Sequence, residues 1–137
     1  MSHFTEITVE FTDLDCLLRA LEAIKPEWKG KIEVHQTAQN LRGYQNDIRP
    51  QKAHVIIRRH NVGQSSNDIG FERQMNGTYK AYISEYDEKS MRYNSEWVGK
   101  LKQAYGAEKV IKEAGKNGYK VTKTAVGKNV RLVLVKA

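Results

Sequence analysis

Lys102, Lys109, Lys112 and Lys116 are the residues whose type and spacing come nearest to chemistry. If they share one helix, at 100° per residue they fall within an arc of about 80°, opposite Ala104 and Ile111. Such a row can follow a phosphate backbone or grip a phosphorylated small molecule, because lysine brings point charge without a base-specific geometry. A solvated face opposite an apolar core produces the same pattern.

A second basic group is Arg42, Arg49, Lys52, Arg58, Arg59 and His60. The arginines matter here, since a planar guanidinium holds phosphate through two parallel hydrogen bonds. Arg49, Arg58 and Arg59 therefore join the lysines as candidate anion ligands. If the strand before them continues, Arg58 and Arg59 point to opposite faces, so only one of them serves a given site. Tyr44, Tyr93 and Tyr105 are candidate stacking surfaces for bases, although tyrosines of a sheet protein also belong at the edge of the core.

Other chemistries lack a signal. His3, His35, His54 and His60 are not spaced as ligands on one helix, and no metal or cofactor is expected. There is no glycine-rich phosphate loop, no Gly-x-Ser-x-Gly and no His-Glu-x-x-His. The acids Glu85, Asp87 and Glu88 read as a charged connection. Cys16 falls beside a leucine stripe, where a partly buried, inert thiol is expected rather than a nucleophile.

Charge is distributed unevenly along the 137 residues, whose net value is +7. Residues 1–38 sum to −3, 39–60 to +4, 61–99 to −2 and 100–137 to +8. Segregation of this kind favours an anionic partner, while a positive balance also serves solubility alone. One cysteine excludes an internal disulfide and points to a reducing cytoplasm. The opening residues lack the basic-then-apolar pattern of a leader, and no 18 apolar residues run together, so neither export nor membrane spanning is expected.

A single domain over 1–137 suits this length and apolar content. Thr5, Ile7, Val9 and Phe11 alternate with polar residues, predicting a half-buried strand. Asp13 to Lys25 predicts a helix, with Leu14, Leu17, Leu18, Leu21 and Ile24 on one stripe and Pro26 ending it. Residues 31–38 alternate again, with Ile32 and Val34 facing inward. The polar stretch 39–52 has no period and reads as a long, flexible candidate binding loop; 61–67 reads as a second loop. Between them, Val55, Ile56 and Ile57 in succession mark a strand inside the sheet.

Residues 69–73 and 79–83 flank Asn76-Gly77, predicting a hairpin in which both turn residues take positive φ. Ser95 to Asn117 predicts a long helix with Trp97, Leu101, Ala104, Ala107, Ile111 and Ala114 inward and Gly118 terminating it. Strands at 119–122 and 130–135 follow, separated by a turn at 127–129. The order β-α-β-β-β-β-α-β-β gives an α+β fold, two helices packed on a mainly antiparallel sheet.

Three stretches of the chain resemble an uncharacterised family typified by the hypothetical chloroplast reading frame thirty-five protein, with cyanobacterial, bacterial and phage relatives. They are Met1-Ser2-His3-Phe4 with Asp13-Leu14, Asp68-Ile69-Gly70-Phe71-Glu72-Arg73 with Gly77-Thr78-Tyr79, and Leu101, Gln103 and Tyr105 with Gly118-Tyr119 and Arg131-Leu132-Val133-Leu134. The resemblance implies an accessory protein, in bacteria sometimes linked with an AAA-class ATPase and a ferredoxin. It supplies no catalytic residue.

The leading expectation is a non-enzymatic basic protein that holds a nucleotide, a signalling nucleotide or a nucleic acid; in a phage, sequestering a host signalling nucleotide is one form of it. A protein-interaction adaptor for an AAA-class ATPase is the alternative. The third reading is an enzyme with an unrecognised site.

Overall fold

The structure, a computed structural model, describes residues 3–126 and 129–136. Alternation places the first strand, β1 (Phe4–Val9), as expected, with Ile7 and Val9 turned to the core and Glu6 and Thr8 to solvent. The leucine stripe forms α1 (Leu14–Ile24), capped by the Asp13 carboxylate accepting from the Cys16 N–H. A 3-10 turn at Pro26–Trp28 follows and buries Trp28. Then come β2 (Glu33–Arg42), β3 (Ile48–Ile57), the one-turn α2 (Arg59–Val62), β4 (Ile69–Arg73), β5 (Tyr79–Ser84), the short α3 (Glu85–Lys89), the long α4 (Ser95–Lys116), β6 (Tyr119–Val126) and β7 (Asn129–Lys136).

The first five strands form one sheet in the order β1-β5-β4-β3-β2, every neighbouring pair antiparallel. Helices α1 and α4 cover one face and contact each other. Their shared core holds Leu17, Leu21, Trp28, Val55, Ile57, Phe71, Ile83, Trp97 and Leu101. Each such side chain contributes about 1.5–3 kcal/mol by leaving water. The opposite face carries a smaller cluster of Leu41, Ala53, Ile56 and Tyr82 beside Phe4. Gly70 lies beneath it, and a Cβ there would come 2.7 Å from both the Ala53 Cβ and a Leu41 methyl, so only glycine fits.

Residues 39–52, expected as a loop, instead form the facing ends of β2 and β3. Asn40 pairs with Lys52 across the ladder, Leu41 is fully buried, and a tight turn closes with Gly43 N–H donating to the Asp47 carbonyl and Asn46 at φ 64°. Polar outward side chains concealed the strands, because only backbone pairing and one leucine reveal them. The register also breaks between Val34 and Gln39, so four residues of β2 face His54 alone. That bulge leaves Val34 47% exposed, contrary to its expected place in the core.

The hairpin between β4 and β5 stands where it was predicted. Its turn differs in detail: Gly77 takes φ +87° while Asn76 does not, and the Asn76 side chain accepts from the Thr78 N–H. Helix α4 begins at Asn94, whose side chain accepts from the Trp97 N–H, and ends as expected before Gly118 at φ +80°. Its buried face runs through Trp97, Val98, Leu101, Tyr105, Glu108 and Ala114; Ala104, Ala107 and Ile111 are only half-buried. Strands β6 and β7 make a separate two-stranded ribbon that packs on α4. Of its expected turn at 127–129, residues 127 and 128 lie outside the described residues and Asn129 opens β7.

Candidate anion-binding surface

The arginines of the central segment are committed to the fold. Arg58 closes β3 as the cap residue of α2, so the strand does not continue and the expected alternation with Arg59 does not arise. Its Nε and Nη2 donate to the two Glu33 oxygens at 2.9 and 3.0 Å, and its Nη1 donates to Asp68 at 2.9 Å. Asp68 is fully buried and also accepts from the backbone N–H groups of Arg42 and Arg59. The Arg58 guanidinium holds the Glu33 carboxyl below its ordinary range, and Glu33 in turn raises that of Arg58.

Arg59 spends its guanidinium on the chain, donating to the carbonyls of Gln64 and Ser66. Arg49 is nearly buried, 3.9 Å from an Asp47 oxygen and 5.3 Å over the Phe4 ring. The connection after α2 is held alike. Ser66 donates to Asp87 at 2.7 Å and the Tyr44 N–H donates to the Asn67 side chain.

The lysine stripe of α4 exists, but carboxylates stand within it. Lys112 reaches Asp13 Oδ2 at 2.6 Å, Lys109 lies 3.8 Å from Asp13 and from Glu113, and Lys116 lies 3.6 Å from Glu113. Helix spacing therefore brings Lys109 and Lys112 to the cap of α1, with Lys116 beyond them beside Glu113. The hydrogen bond from Lys112 is the main reason that Asp13 is lowered to about 2, and the same bond raises Lys112. Lys102 stands apart near the start of the helix, beside Thr8, Glu10, Phe11 and Tyr105, with no ion pair among the described residues.

Two of the three candidate stacking tyrosines are core residues. Tyr93 packs edge-on against Trp97 and stacks with Trp28, its hydroxyl donating to the Val62 carbonyl. Tyr105 stacks on Phe11 at 4.2 Å, and its hydroxyl accepts from the N–H groups of Thr12 and Asp13. That oxygen satisfies donors ahead of α1, a role no spacing rule reveals. Tyr44 is half-buried. Cys16 is buried, and burial raises its thiol above the usual range, as an inert side chain requires.

Positive charge without counter-charge collects instead on the ribbon. Residues 114–137 contain no Asp or Glu. Lys123 reaches back to Glu108 at 2.7 Å, while Lys120, Arg131 and Lys136 are exposed and have no ion pair among the described residues. Strand alternation puts Lys120 and Arg131 on one face together with Thr122, Val133 and Val135; the register sets Lys120 beside Val135 and Thr122 beside Val133. The other face turns to α4, where Tyr119 and Leu134 line a 380 Å³ groove with Val110 and Ala114. The signal available in the sequence was the run free of acids after Glu113, more than the helical stripe.

Residues 29–135 match the family described as a protein of unknown function, DUF1257. The chain belongs to this family. The matched part of the DUF1257 chain runs from just after the 3-10 turn through nearly all of β7 and so includes the ribbon, while β1, α1 and that turn precede it. No curated protein and no solved structure matches the chain. Among the described residues no helix is long and apolar enough to cross a membrane, and no group of three or more His, Cys, Asp or Glu is placed to hold a metal ion.

Proposed function

We propose that this protein is a non-enzymatic binding module that holds a nucleic acid on the exposed face of the β6–β7 ribbon. The observation that carries this reading is the pair Lys120 and Arg131 on that face, with Lys136 exposed at the end of β7, all unpaired among the described residues, on a segment without Asp or Glu. Unpaired surface cations are free to neutralise phosphates and release the counterions condensed on them, whereas Lys112 and Arg58 must first break an existing pair. An extended two-stranded ribbon suits a continuous backbone better than a single nucleotide, and such ribbons enter the DNA major groove.

Fluorescence anisotropy with a labelled duplex and a labelled single strand, titrated at rising salt, tests this. Affinity should fall steeply with salt, and Lys120→Glu, Arg131→Glu and Lys136→Glu together should abolish binding. Each cation removed should flatten the log–log salt slope by about 0.9 on a duplex. Lys109→Glu with Lys112→Glu should do less. Equal affinity of the ribbon variant and the natural chain overturns the reading.

One observation favours a protein partner instead. Val133 and Val135 are 40% and 54% exposed, and the outer edges of β6 and β7 pair with no other described strand. An edge of this kind accepts a strand from another chain. An adaptor for an AAA-class ATPase would use it. Co-purification with such an ATPase that survives nuclease and moderate salt would favour that reading over the first.

A further inference from the structure

The bulge in β2 opens a cleft of 350 Å³ on the helix side of the sheet, bounded by Leu14 at the start of α1, Val34, His35 and Gln36 of β2, His54 and Val55 of β3, Arg73 of β4 and Tyr79 of β5. A volume of this order suits a small ligand. Apolar and polar groups share the lining, and neither kind is fully used by the protein. Val34 occupies a position whose alternation directs it to the core, yet it remains 47% exposed. Tyr79 is the converse. Its side chain is only 3% exposed, and among the described residues nothing hydrogen-bonds its hydroxyl.

Among the described residues, the one Lys, Arg, Asp or Glu on the lining is Arg73. Arg73 has no ion pair or side-chain hydrogen bond among the described residues. Arg73 and Tyr79 are partners across the β4–β5 ladder, so both side chains leave the same face of the sheet; burial raises the Tyr79 phenol, Arg73 acts on it in the opposite direction, and Asp13 adds to the rise. Glu33, the acid nearest in sequence to the lining of β2, is already held by both Arg58 and His35. His54 Nδ1 accepts the Arg73 backbone N–H at 3.0 Å, which leaves the proton of a neutral imidazole on Nε2 as a donor. His35 is in the same tautomeric state, its Nε2–H donating to Glu33 at 2.8 Å, which leaves its Nδ1 as an acceptor. Donors therefore outnumber acceptors, and Leu14, Val34 and Val55 supply an apolar wall.

We propose that this cleft binds a small molecule bearing one carboxylate or phosphate on a compact apolar body, the anion held by Arg73, His54 and the Tyr79 hydroxyl and the body laid on Val34, Val55 and Leu14. Guanidinium fits either anion through two parallel bonds. The site lies apart from the ribbon and does not depend on nucleic-acid binding there.

Benzoate and phenyl phosphate, with benzyl alcohol as the neutral control, are the probes. In ¹⁵N-edited spectra of the full chain, one or both anions at millimolar concentration should shift the amides of Gln36, His54 and Arg73 saturably, and leave Lys120 and Val133 in place. The control should produce much smaller shifts. Whichever anion binds more tightly identifies the carboxylate or the phosphate class. Arg73→Gln should weaken it by about tenfold or more, the loss expected of one charged hydrogen bond. Val34→Trp, a change at an exposed position, should fill the cleft and block the probe, and the ribbon charge reversal should bind it as the natural chain does. Absence of saturable shifts in the natural chain, or equal binding by the natural chain and Arg73→Gln, overturns the proposal. Loss of nucleic-acid binding alone leaves it standing.

Discussion

Arg58 and Arg131 are the same residue type in two regions with opposite economies of charge. In the five-stranded body, Arg58 is enclosed by Glu33 and Asp68, and Lys112 by Asp13. On the ribbon, Arg131 and Lys120 have no counterpart among the described residues. A positive segment therefore means different things in the two places. In the body it ties strands together, and in the ribbon it faces outward. Positive charge becomes a binding signal only where no carboxylate folds back onto it.

The sharpest way to break this contrast is at Asp68. Removing it as Asp68→Ala strands Arg58 and two backbone N–H groups, and unfolding in urea should show a loss of about 4 kcal/mol. A loss below about 1 kcal/mol would mean that water replaces the carboxylate and that the arginine remains available. The packing of the two regions should differ in the same sense. Leu17→Ala in the body should cost about 3 kcal/mol, whereas Leu134→Ala, at a 49% exposed site on the ribbon, should cost less than about 1 kcal/mol. Equal costs would make the ribbon part of the core.

The smallest effect concerns the cap of α1. Asp13→Ala should lose about 1 kcal/mol through the missing N-cap bond alone. Because the folded Asp13 carboxyl sits at about 2 against an ordinary 3.8, its stabilisation is fully present above about pH 4 and disappears as pH falls from there through about 2. Urea unfolding at stepped acid pH should show this slope in the natural chain and not in Asp13→Asn. An identical slope in both would show that Lys112 is not held by Asp13, which would return that lysine to the set of available cations.

Where local sequence and tertiary environment agree, the fold was legible. Alternation in β1, the leucine stripe of α1, the Gly77 hairpin and Gly118 at the end of α4 each rest on a period or a backbone requirement confined to neighbouring residues. The strands over 39–52 were not legible, since Gln39, Asn40, Gln51 and Lys52 satisfy no apolar period, and the ladder that holds them pairs Gln39 with Ala53 and Asn40 with Lys52. The candidate site was read only in part. Lys109, Lys112 and Lys116 do share a face, but Asp13, about a hundred positions away, decides what the first two can do.

By itself the chain determined its α+β class, its excess of positive charge and the absence of acids after Glu113. Tertiary structure alone decided which cations are neutralised, that Tyr93 and Tyr105 are buried, and that a bulge opens a cleft beside Arg73. The physical reason is range. Periodicity and turn chemistry act over a few residues, whereas an ion pair or a cleft depends on which distant segments meet, and one carboxylate arriving within 3 Å cancels a charge that composition still counts.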